Sequence, residues 1–185
     1  MNYYLVKYSG PFGFIKPWTA VRDSETFSQQ FLTPSIVEGL RQKLGVKTIL
    51  RHKLTYNGIT RQQEVTHTRG WNYQRAKALH QRYRSILIRG LMLNPILWLA
   101  FEDHSDAEKA IRQHICLCRN EDILLPEGEV LEVTERDFNK LSGFELRFEE
   151  NERSFLVGFD RFKEGEPMYG WLDVTGNPLR SGTLL

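Results

Sequence analysis

Residues 85–101 read SILIRGLMLNPILWLAF, seventeen residues of nearly unbroken apolar character with Asn94-Pro95 in their midst. A proline has no N–H to donate to a central ladder, so the run is two strands or one bulged strand. Arg89, Asn94 and Pro95 argue against a membrane helix, and no apolar run approaches the roughly 20 residues of a span. The run therefore marks the centre of a soluble, strand-based core.

Working outward, residues 46–56 (VKTILRHKLTY) alternate weakly and are joined by Asn57-Gly58 to ITRQQEVTHT. Asn-Gly between two such runs predicts a β-hairpin, because both central residues of its turn need positive φ. Upstream, Thr33 offers a cap, Pro34 suits the first helical position, and Ile36, Val37, Leu40 and Leu44 form an apolar stripe. A helix over 34–44 ending at Gly45 follows. Residues 2–8 (NYYLVKY) read as a strand closed by Ser9-Gly10-Pro11. Downstream, Ser105 with Glu108 makes a capping box for a helix reaching about residue 114, and a short strand follows at 115–118. Residues 72–83 are polar and fit either a helix or a loop. The order strand, helix, strand pair, strand, helix, strand is that of a ferredoxin-like (RRM-like) α+β domain. Beyond Pro126 only strand-like pieces occur: EVLEVTE, FELRFEE, SFLVGFD and MYGWLDV. The chain thus divides into a ferredoxin-like domain at 1–125, including an arm at 46–84, and a β-rich C-terminal segment at 126–185.

Charge follows this division. Residues 41–90 hold twelve Lys or Arg and a single acid, Glu64, with Tyr56, Trp71, Tyr73 and Tyr83 among them; residues 91–185 hold ten basic and nineteen acidic residues. The net charge of +2 conceals the split. Fixed cations along a path bind phosphates, and flat side chains between them stack on unpaired bases, so this stretch is the footprint of a nucleic-acid-binding arm. The N-terminus lacks the charged-then-apolar layout of a signal peptide. Cys116 and Cys118, two apart on a short strand, read as small buried hydrophobes of a protein kept in a reducing cytoplasm. Glu102, Asp103, His104 and Asp106 sit at a strand-to-helix turn, where acids favour the helix dipole more than they suggest a metal. No phosphate-binding loop, dinucleotide fingerprint or zinc spacing occurs, so no cofactor is expected.

The opening YLVKYSGPFGFIKPW, then FLTPSIVEGLRQKLGV, the RYRSILIRG run leading into ILWLAFE, and the helix followed by CLCRNEDILLP resemble, in order and spacing, the CRISPR-associated RAMP proteins of the "Cas five" family. These cap the 5′ handle of the guide RNA in Cascade-type complexes. The resemblance spans roughly residues 3–125 and departs from the family at Cys118, where a glycine is usual. It implies a ferredoxin-like body with a hairpin thumb that grips crRNA beside the backbone and large subunits of a type I effector complex, reaching target DNA only indirectly and no membrane. On that reading Arg51, Lys53, Arg61, Arg69, Arg75, Lys77, Arg82 and Arg84 contact phosphates, Trp71 and Tyr73 stack on handle bases, and Lys16, Trp18 and Arg22 line the same groove. Trp71 equally suits a packed hinge at the arm's base.

Two other readings stay open. Some members of the family cut precursor guide RNA without metal, and His52, His67 and His80 lie among suitable cations for such an endoribonuclease. The cleaving members hold a tyrosine just after the Thr-Pro-Ser helix, where this chain has Gly45, so no catalytic residue is expected. The third reading is a stand-alone RNA-binding accessory protein with the same arm.

Overall fold

The computed structural model of the chain describes residues 1–17, 24–67, 70–160 and 164–180. In chain order the elements are β1 (Asn2–Ser9), β2 (Phe12–Gly13), β3 (Glu25–Phe27), α1 (Pro34–Leu44), β4 (Arg51–Thr55), β5 (Gly58–His67), β6 (Asn72–Gln74), β7 (Leu79–Gln81), β8 (Arg84–Leu93), β9 (Ile96–Phe101), α2 (His104–Ala110), β10 (Ile115–Cys116), β11 (Ile123–Thr134), α3 (Glu135–Lys140), β12 (Gly143–Arg147), β13 (Phe155–Asp160) and β14 (Glu166–Thr175). It is a strand-rich α+β protein.

Asn94-Pro95 divides the apolar run into β8 and β9, and Asn94 turns the chain with φ 47°. The two strands enter different sheets. β9 lies in an eight-stranded sheet of order β10-β11-β1-β9-β4-β12-β14-β13. In it β1 pairs antiparallel with both β9 and β11, and β4 pairs antiparallel with β9. The helix α1 connects β1 to β4, and α2 connects β9 toward β11. β8 belongs to a smaller sheet, with β5 along one edge and the short β2 and β3 along the other. The Phe27 ring of β3 lies on Gly90 of β8, where any side chain would collide with it.

Side-chain alternation explains the layers. Val6 and Tyr8 of β1, Leu54 of β4, and Leu97, Leu99 and Phe101 of β9 point to one face and pack with Leu40 and Leu44 of α1 and Ala107 and Ala110 of α2. Tyr3, Leu5 and Ala100 point to the other face, against Phe138 of α3. Leu97, Leu99 and Phe101 are fully buried, and each such side chain contributes about 1.5–3 kcal/mol. The helix α1 has the expected bounds. Gly45 closes it with φ 66°, its N–H bonded to the Gln42 carbonyl while that of Val46 bonds to Arg41.

Three expectations need correction. Asn57-Gly58 is not a hairpin turn: neither residue has positive φ, β4 pairs with β9 and β12, and β5 pairs with β8 through ten residue pairs. All five residues of β4 are buried, so it takes a neighbour on each edge of the large sheet, and Asn57 carries the chain across to β8 by donating its N–H to the Leu93 carbonyl at 2.9 Å. The capping box of α2 is also absent. Asp103 is the cap, Ser105 lies inside the helix, and the helix stops at Ala110. Finally, α3 interrupts the C-terminal strands; the Thr134 hydroxyl caps it by accepting the Asp137 N–H at 3.2 Å. The four C-terminal strands themselves occur as expected. β11 runs unbroken through the 125/126 position, and β12, β14 and β13 extend the same sheet beyond β4.

Candidate nucleic-acid interface

The arm is the β5–β8 ribbon, paired from Gly58↔Leu93 at its root to His67↔Arg84 at its outer end. Ten residues per strand make it about 30 Å long. β2 and β3 support β8 only at Ile88 to Gly90 and at Met92 to Leu93, so the outer half consists of two strands. Val65 and Ile86, directly opposite one another there, are 61% and 58% exposed. At the root, Arg89 and Arg119 both approach the buried Phe14 ring, at 5.9 and 5.6 Å, and Arg89 also pairs with Glu64 at 3.3 Å. These contacts join the ribbon to the body of the fold.

Beyond His67 the chain forms a second, smaller hairpin, β6–β7, turned by a 3-10 turn at Arg75–Lys77 and by Ala78 with φ 46°. This settles the open reading of 72–83: it is neither a long helix nor an unpaired loop. Trp71 is 66% and Tyr73 54% exposed at this tip, with Tyr83 beside them. Tyr73 lies opposite His80, ring centroids 4.9 Å apart, and Trp71 meets His80 edge-on at 6.5 Å. The Arg82 guanidinium lies over Trp71 at 5.6 Å. A cavity of about 500 Å³ opens here, lined by His67, Trp71, His80, Arg82, Tyr83 and Arg84, with Gln81 beside them.

The expected phosphate contacts separate into three groups. Arg75, Lys77 and Arg84 are exposed and hold no ion pair among the described residues, while Arg82 is half-buried against Trp71. Arg61 is 68% exposed but reaches across β8 to pair with Glu25 of β3 at 3.0 Å, so it already has an acid partner. Arg51 and Lys53 are corrections. Arg51 projects from the face of the large sheet that α3 packs on and is held by Glu145 through two hydrogen bonds, one of them from Nη2 at 2.7 Å, with Asn139 at 3.2 Å and the Phe138 ring at 4.9 Å. Lys53 is fully buried; its Nζ donates to the Thr175 hydroxyl at 2.7 Å and lies 3.7 Å from Glu145 and 3.8 Å from Asp173. Both cations are out of reach of a phosphate because they are buried and engaged by side chains of β12, β14 and α3. Lys16 is exposed, whereas Trp18, Arg22 and Arg69 lie outside the described residues. Trp71 sits at the tip, so it is no hinge at the arm's root.

Three of the other titratable candidates, His52, Asp103 and Asp106, are engaged within the fold. His52 is buried between β4 and β12, where its Nε2 accepts the Leu146 N–H at 3.3 Å. Burial, with Arg51 and Lys53 alongside, lowers its pKa to about 3. Its protonation thus occurs only in the unfolded chain through the window from about 6.5 down to about 3, so stability is fully present above pH 6.5 and is lost below it. Denaturant unfolding at pH 7, 6 and 5 should show a loss of about 1.4 kcal/mol per pH unit below about 6.5, before most carboxylates protonate. His52→Leu should flatten that slope, and an equal slope in the variant would assign it to other groups. Asp103 and Asp106 are tied to Lys47, by its ammonium at 2.8 Å and its N–H at 2.7 Å, and Asp106 also accepts from Lys109. Among the described residues no helix is long and apolar enough to cross a membrane.

Sequence reasoning missed Glu145, Asn139 and Asp173, the partners of Arg51 and Lys53. A signal existed: Glu145 and Arg147 stand two apart in GFELRF, a pattern that puts charges on one face of a strand with Phe144 and Leu146 on the other.

No family model matches the chain, and no curated protein does. Among solved structures, one chain of a "CRISPR RNA-guided surveillance complex" superposes with a TM-score of 0.58 at 12% identity, covering 95% of this chain and 91% of that one. The two share a fold. A second structure, of a Cas protein, covers 96% of this chain and all of its own at a TM-score of 0.44 and 16% identity.

Proposed function

We propose that this chain is a non-catalytic subunit of a type I CRISPR effector complex of Cascade type, with a ferredoxin-like body whose arm holds the 5′ handle of crRNA beside the backbone subunits. The observation that carries this reading is the tip of the arm. There Arg75, Lys77 and Arg84, cations without an ion pair among the described residues, are interleaved with the exposed rings of Trp71, Tyr73 and Tyr83 at the end of a ribbon about 30 Å long. The four strands β11-β1-β9-β4, connected by α1 and α2, support the ferredoxin-like part of the reading. The shared fold with a chain of a surveillance complex supports the complex as its setting. Binding through the backbone and through stacking suits a single-stranded handle, because both leave the bases free of sequence-specific contact.

Two observations support the non-catalytic part of the proposal. His52 has its ring nitrogen engaged inside the core. Gly45, where cleaving relatives carry a tyrosine, has no side chain and closes α1 in the left-handed conformation. The chain's own cations therefore bind and orient RNA rather than assist attack by a 2′-hydroxyl. A labelled CRISPR repeat RNA incubated with the protein without metal should migrate as a retarded complex and be recovered at full length. A discrete product that disappears in His67→Ala or His80→Ala would reverse the assignment in favour of the endoribonuclease, and the absence of any retarded complex would remove the RNA-binding reading.

A further inference from the structure

Resting on that reading of the arm, a narrower site is marked by the tip cavity. Its lining contains basic and aromatic side chains and no carboxylate. Two guanidinium groups, Arg82 and Arg84, share it with two imidazoles, His67 and His80. His67 and Arg84 stand directly across from one another at the end of the ribbon, so both can reach one ligand in the cavity. Arg82 gives an independent sign. Its side chain lies on Trp71, and its Nε is shielded from solvent with no hydrogen-bond partner among the described residues. Buried donors are ordinarily hydrogen-bonded to protein or ordered water, and the cavity beside Arg82 leaves room for an acceptor. The stacking also holds the guanidinium flat, which is the geometry for bidentate phosphate binding.

We propose that the cavity receives one unstacked nucleotide of the bound strand, its base against Trp71 and the phosphates on its two sides on Arg82 and Arg84. Two guanidinium groups match two phosphodiesters, one charge each. A base is accepted by stacking on a single indole face, so the site tolerates any base. The nucleotide reaches the cavity only when it leaves the stack of its neighbours, which makes the site one for single strands.

The test titrates the full-length protein, labelled at the tryptophan indole N–H groups, with adenosine 3′,5′-bisphosphate, adenosine, inorganic pyrophosphate and a trinucleotide, following the Trp71 resonance assigned with Trp71→Phe. The bisphosphate should shift that resonance saturably and bind at least about tenfold more tightly than adenosine or pyrophosphate, with the trinucleotide no weaker. Arg82→Gln should weaken the bisphosphate by about tenfold, whereas Arg112→Ala, an exposed cation just after α2 and away from the arm, should leave it within about twofold. Pyrophosphate binding as well as the bisphosphate would reduce the cavity to an anion site, adenosine binding equally would reduce it to a stacking face, and a trinucleotide bound about tenfold more weakly would make it a site for free nucleotides; each overturns the proposal. Repeat RNA is titrated in parallel. If RNA binds with the Trp71 resonance unmoved, the cavity inference alone fails; if the bisphosphate binds and RNA does not, the cavity stands and the role in crRNA binding fails.

Discussion

Arg75→Ala, Lys77→Ala and Arg84→Ala combined in one variant should lower the log–log salt slope of single-stranded RNA binding by about two, because each lost phosphate contact removes about 0.7. All three side chains are exposed at the outer end of the arm and hold no ion pair among the described residues, so their full charge faces solvent. Their loss should leave the melting temperature unchanged, since no buried group depends on them. Arg61→Ala is the internal control. That cation is already paired with Glu25, and its removal should change the slope by far less. A triple variant that keeps the wild-type slope in a salt titration would move RNA binding off the tip.

Replacing Glu145 by Ala should cost about 3–5 kcal/mol of folding stability, the usual penalty for leaving buried charge without its partner. Glu145 is 1% exposed and holds Arg51 while standing 3.7 Å from Lys53; without it Arg51 would have no acid among the described residues and Lys53 only the partly exposed Asp173. Removing the charges together should be far milder, because a buried ion pair replaced by apolar side chains of similar volume is often neutral. The comparison is therefore Glu145→Ala against Arg51→Met with Glu145→Leu, both read by urea unfolding. A loss below about 1 kcal/mol for the single variant would show that water reaches the pair. The double variant should also bind RNA with wild-type affinity, as Arg51 is buried; a clear loss would return Arg51 to the interface.

The arm's chemistry was legible at the level of charge and not of placement. Twelve basic residues against one acid mark 41–90 as a polyanion-binding stretch, yet the count treats Arg51 and Arg75 alike. One is held by Glu145, ninety-four residues away, and the other is open to solvent. The same holds for the histidines: His52 belongs to the core, while His67 and His80 line the tip cavity.

By itself the sequence determined the local elements whose signals are local. These are α1 between Pro34 and Gly45, the break of the apolar run at Asn94-Pro95, the C-terminal strands with their alternating side chains, and the rings at 71, 73 and 83 set among cations. Each follows from the conformational limits of a proline or glycine, or from a period of two or 3.6. Only the tertiary structure decided which strands pair. Asn57-Gly58 carries a strong hairpin signal, but the gain from burying β4 between β9 and β12 exceeds the turn's own preference, and β5 is left to pair with β8. That one choice of partners buries Arg51 and Lys53 beside β12 and β14 and leaves Arg75, Lys77, Arg82 and Arg84 at the outer end of a ribbon, because strand pairing joins residues far apart in sequence and only the folded chain brings Glu145 to Arg51.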